Sequence, residues 1–128
     1  MPLSPLSAEI IRALPNTGPL LFSTNGSTAV SGFSKAKARV DLWIANRTRD
    51  TGATAMRPWI LHDLRRTMVT IANETLGVQP HIVEAVVNHV SGPAKAGVAG
   101  TYNRAPYLAA RRDTACRWQE YLQSIGVL

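Results

Sequence analysis

One cysteine, Cys116, stands in 128 residues. No intramolecular disulfide can form, which fits a reducing compartment and argues against the disulfide-stapled secreted folds. Cys116 falls in a helical apolar pattern and reads as a small core residue rather than a nucleophile. The zinc-ligand spacings built on cysteine pairs or close histidine pairs are missing. A three-histidine site on His62, His81 and His89 has no such pair to support it, so no metal is expected. No apolar run approaches the ~20 residues of a membrane span. The start Met1-Pro2-Leu3-Ser4 has neither a basic n-region nor an apolar h-region, so the reading is no signal peptide and a cytoplasmic protein. Acidic residues are also scarce, eight against fourteen lysines and arginines, for a net charge of +6. With a pI near 10.3, the chain suits an acidic partner, of which nucleic acid is the commonest.

What remains is apolar and patterned. Hydrophobic residues make up 45% and charged residues 17%, below the usual quarter, so the chain can bury a core as one domain or a piece of one. Ser4-Pro5 reads as an N-cap with proline at the first helical position, opening a helix with Ile10, Ile11 and Leu14 on its apolar face. Pro15 stops it. Leu20-Leu21-Phe22-Ser23 reads as an edge strand or extended connector, and Asn25-Gly26 as a turn. Ser31 is the expected N-cap of a second helix, whose apolar stripe is Phe33, Ala36, Val40, Trp43 and Ile44. Lys35, Lys37 and Arg39 lie off that stripe, as a solvated face or as phosphate contacts. Residues 46–58 lack periodicity and read as an exposed loop.

A third helix is expected from His62, with Leu61, Leu64, Met68 and Ile71 facing the core and His62, Arg65, Arg66 and Val69 on a neighbouring face. Gly77 stops it. Pro80 opens a short helix with Ile82, Val83, Val86 and Val87 as its apolar face. The small-residue run at 94–100 reads as mobile. Pro106 opens a last helix with a stripe of Leu108, Ala115, Trp118, Leu122 and Ile125. The predicted class is mainly α, with at most a short strand pair and no internal repeat.

The chemistry gathers around His62-Asp63-Leu64-Arg65-Arg66-Thr67. Metal-free cleavage of a phosphodiester needs charge opposite the non-bridging oxygens and a proton for the leaving oxygen. Arg65 suits the first task, because guanidinium is always charged and binds phosphate bidentately. His62 and His89 suit either task. Tyr102 suits covalent catalysis once a positive field or a base activates its phenol. Taken singly, each has a plainer reading: a helix-end histidine, a surface arginine, a loop histidine, a packing tyrosine like Tyr107 and Tyr121. Order and spacing distinguish the set.

His62-x-x-Arg65, then Asn88-His89 about two dozen residues on, then Gly100-Thr101-Tyr102-Asn103-Arg104 about a dozen beyond, resembles the C-terminal catalytic region of the tyrosine recombinases, the phage-integrase family. Leu3-Ser4-Pro5-Leu6 and Gly32-Phe33-Ser34-Lys35 extend the likeness over nearly the whole chain. The resemblance implies that Arg65 binds the scissile phosphate, that His62 helps hold it and manages the nucleophile's proton, and that His89 hydrogen-bonds a non-bridging oxygen. Tyr102 would attack phosphorus to give a 3′-phosphotyrosine and a free 5′-hydroxyl. No cofactor is implied, since the phosphotyrosine conserves the bond energy. Double-stranded DNA is the implied partner, with Arg66, Lys35, Lys37 and Arg104 as further DNA contacts and the nucleoid as the place of action.

The family also has an earlier arginine and a lysine on a β-hairpin, and nothing here matches either. The expectation is therefore a partial catalytic domain over residues 1–128, inactive or weak alone. Family members form tetramers on DNA, with the C-terminal helix packed on a neighbour. Without DNA the expectation is a monomer or weak dimer, that helix lying on its own core. Two competing readings are a non-catalytic DNA-binding module and a helix-turn-helix regulator on residues 61–88. The regulator needs base-reading side chains on the helix at 80–88, where the sequence places Ile82, Val83, Val86 and Val87.

Overall fold

The computed structural model describes residues 2–88 and 106–127. Five helices run through them: α1 Pro5–Arg12, α2 Phe33–Thr51, α3 Leu61–Glu74, α4 Pro80–Val86 and α5 Leu108–Ser124. No strand occurs among the described residues, so the class is mainly α and the segment at 20–23 is a bend, not an edge strand. The chain divides into two compact units, Met1–Ala13 with Leu64–Leu128, and Leu14–Asp63.

The first unit holds the buried core. Ala72, Val78, Ile82 and Val83 are buried, with Met68, Val69, Leu76, Tyr107 and Ala110 packed against them. α4 lies on α5. The apolar face expected for α4 is therefore turned inward: Ile82 and Val83 are buried and Val86 and Val87 half-buried. On α3 the packed side begins about two turns later than the periodicity suggests, at Met68 rather than Leu61. Leu61 and Leu64 are exposed, Leu64 at 61%. Val69, expected beside the basic residues, packs on the core instead. Periodicity locates an apolar stripe but not how far a neighbouring helix covers it. Gly77, at φ 61°, turns the chain out of α3, and the Val78 N–H returns to the Ala72 carbonyl at 2.8 Å.

α5 buries Thr114 rather than a large apolar residue; its hydroxyl donates to the Ala110 carbonyl at 2.8 Å. Cys116, Ala115, Trp118 and Leu122 are half-buried, whereas Leu108 and Ile125 at the helix ends are exposed. Arg117 reaches from α5 to the Leu76 carbonyl and lies 3.8 Å from Asp113.

α1 starts as its sequence dictates. Ser4 is the N-cap and Pro5 the first helical residue; the Ser7 N–H donates to the Ser4 Oγ at 3.3 Å. The helix ends at Arg12, before Leu14, and Ile10 is exposed. Its first turn is tied to α5 by the Leu6 N–H donating to the Gln119 Oε1 at 3.0 Å. Ser4 is buried, so water cannot replace its hydroxyl freely. Ser4→Ala is expected to cost about 1 kcal/mol, the usual loss of an N-cap oxygen. Urea unfolding of the two proteins side by side measures it; equal midpoints would remove the cap from the account of α1.

The second unit is built on α2. Its N-cap is Gly32, at φ 81°, and not Ser31. The helix runs to Thr51, well into the stretch 46–58 expected to be a loop, of which only residues 53–58 remain non-helical beyond the Gly52 cap. Gly52 stops it at φ 64°: its N–H donates to the Arg49 carbonyl, and the Ala53 N–H to the Thr48 carbonyl at 3.1 Å. This two-bond closure of the last turn needs a left-handed residue, and glycine takes that conformation without a Cβ clash. The absence of apolar periodicity after Asn46 marks a helical segment with no packed stripe, which looks like a loop in sequence alone.

Ahead of α2, the Asn25 Oδ1 accepts from the Ser27 and Thr28 N–H groups at 3.1 and 2.9 Å, and the Ser23 Oγ donates to the Thr28 carbonyl at 2.6 Å. Gly18 and Gly26 let two backbone stretches touch. A Cβ on Gly26 would stand 2.0 Å from the Thr17 carbonyl oxygen, and one on Gly18 2.5 Å from that of Gly26. All buried hydrophobic residues among those described lie in the first unit. In the second, Phe33, Val40 and Trp43 of the expected core stripe are exposed, Trp43 at 62%.

Candidate functional site

α3 opens on an acidic cap. The Asp63 Oδ2 accepts the Ile60 N–H at 2.9 Å, which occupies one of the four backbone donors a helix leaves free at its start. The following helical turn sets His62 and Arg65 three residues apart, hence on one face, with Arg66 beside them. All three are exposed. Among the described residues, none makes a hydrogen bond or ion pair with the side chain of His62 or Arg65. Their donors therefore face solvent at the end of the helix where the backbone dipole favours an anion. Asp63 sits within the same turn and offsets part of that field.

His89, Tyr102 and Arg104 lie outside the described residues. The box on α3 is the part of the expected catalytic set whose placement is described. Among the described residues no group of three histidine, cysteine or carboxylate side chains is placed to hold a metal ion, and no helix is long and apolar enough to cross a membrane.

The two lysines expected to contact DNA differ. Lys35 is exposed on α2. Lys37 is engaged: its Nζ lies 2.6 Å from the Asp41 Oδ2 and 4.7 Å from the centre of the Trp59 ring. The lysine–aspartate pair has the i, i+4 spacing legible in any helix. The indole above it comes from the segment after the helix, and no spacing rule announces it. These residues line a cleft of about 390 Å³ between α2 and residues 55–59, which the sequence did not reveal.

No protein-family model, curated protein or solved structure matches this chain. Its function rests on its own residues.

Proposed function

We propose that this chain is the C-terminal part of a tyrosine-recombinase catalytic domain, which binds double-stranded DNA and belongs to the chemistry of strand cleavage and rejoining through a 3′-phosphotyrosine. The carrying observation is the pair His62 and Arg65, exposed on one face of α3 with their donors uncommitted. Arg65 grips the non-bridging oxygens of a backbone phosphate, His62 adds a hydrogen bond and exchanges the nucleophile's proton, and His89 donates to a second oxygen. Tyr102 is the nucleophile. Arg66, Lys35, Lys37 and Arg104 add backbone attraction, Lys37 after exchanging its Asp41 contact for a phosphate. No cofactor takes part, and assembly into a tetramer occurs on DNA.

The sequence carries no match for the family's earlier arginine or its hairpin lysine, so the 128-residue chain by itself turns over little or not at all. Loss of a single transition-state donor costs about 100- to 1,000-fold in rate. The test is a labelled duplex carrying a nick that traps the covalent adduct. The chain is expected to shift the duplex and to leave at most a trace of adduct, with Tyr102→Phe binding the duplex equally well. Strong adduct formation that Tyr102→Phe abolishes would overturn the inactivity. Failure to bind duplex DNA at low salt would overturn the whole reading.

A further inference from the structure

We propose that the cleft between α2 and residues 55–59, which shares no lining residue with α3, binds one nucleoside monophosphate unit. At about 390 Å³ it falls within the roughly 300–1,000 Å³ of small-molecule sites. Three kinds of wall meet in it.

Met56 and Trp59 supply a polarizable and an aromatic surface, the sort against which a flat base packs. Lys37 and Asp41, 2.6 Å apart, form a neutral pair that still offers donors and an acceptor together, and the Thr48 hydroxyl offers both. A base edge presents donors and acceptors in the same way; an acyl chain or a bare inorganic anion does not. Arg57 is the cation left over. It is exposed, has no ion pair among the described residues, and lines the cleft. A guanidinium there suits a phosphate attached to a base held inside.

The lysine ammonium over the Trp59 ring holds that wall in place before any ligand arrives. None of His62, Arg65 and Tyr102 lines the cleft, so it does not depend on their doing what is proposed above; Lys37 is the residue the two readings share.

The same unit can come from two sources, a free nucleotide or an unpaired nucleotide at the end of a DNA strand. The experiment follows the indole N–H signals of Trp43, Trp59 and Trp118 by NMR in the full chain, with Trp59→Phe identifying the second of them. The probes are thymidine and deoxyadenosine monophosphates, the two nucleosides, inorganic phosphate, a blunt DNA hairpin and the same hairpin with a single-stranded 3′ tail. The Trp59 signal is expected to move with the monophosphates or with the tailed hairpin, and the probe that moves it at lower concentration identifies the source. The nucleosides are expected to bind at least tenfold more weakly, and Arg57→Ala is expected to weaken the monophosphates at least tenfold. Arg57→Ala should leave binding of the blunt hairpin unchanged, which separates this site from the α3 face. A Trp59 signal that no nucleotide or tailed hairpin moves overturns the proposal. So does one that inorganic phosphate moves equally well.

Discussion

Arg65→Ala is expected to weaken duplex DNA binding about ten- to a hundredfold at low salt, the range of losing one charge-assisted hydrogen-bonding group worth about 1.5–3 kcal/mol. The slope of log K against log salt should fall by about 0.9, one phosphate contact fewer. Arg65→Lys keeps the charge but not the planar fork, so it should restore the salt slope and only part of the affinity. The residue is exposed and outside the core, so the variants should unfold at the wild-type midpoint. Fluorescence anisotropy over a salt series reads all three quantities. An Arg65→Ala protein with wild-type affinity and slope would place the DNA elsewhere and remove the observation on which the functional proposal stands.

The second large effect concerns the fold. Val83 is 1% exposed and lies in the cluster with Ala72, Val78 and Ile82. Val83→Asp puts a carboxylate there without a partner, at a cost of several kcal/mol after relaxation. A small domain has about 5–15 kcal/mol in total, so the first unit should be largely unfolded at 25 °C. Val83→Ala removes two methyl groups and should cost about 2 kcal/mol, between the smaller and larger known truncations. Far-ultraviolet circular dichroism and urea titration distinguish the two variants. A cooperative, near-native transition for Val83→Asp would mean that Val83 is not at the centre of the core.

The helices with strong local signals were legible in the chain. Ser4 and Pro5 start α1 because a hydroxyl and an imino acid satisfy helix-start geometry wherever they occur together. Pro80 opens α4, and its Ile82 and Val83 are buried as their spacing requires. The helix expected to open at His62 is α3, which starts at Leu61 and carries His62 and Arg65 near its beginning. Errors fell where a neighbour decides. The C-terminal end of α2 has no apolar rhythm because it carries no buried residue, and its stop depends on the left-handed backbone at Gly52. Leu64 has the spacing of a core residue and is exposed because the core begins only at Met68 and Val69.

By itself the sequence determined the mainly helical class, the helix starts, the basic balance and the order of the candidate catalytic residues. Each follows from chemistry acting within a turn or two of the chain. The tertiary structure decided which apolar residues are covered: Ala72, Val78, Ile82 and Val83 became core, while Phe33, Val40 and Trp43 stayed exposed. It also brought Trp59 over Lys37 and shaped the cleft beside them. Burial and ring contacts depend on where a second segment passes, and the spacing along one helix carries no record of that.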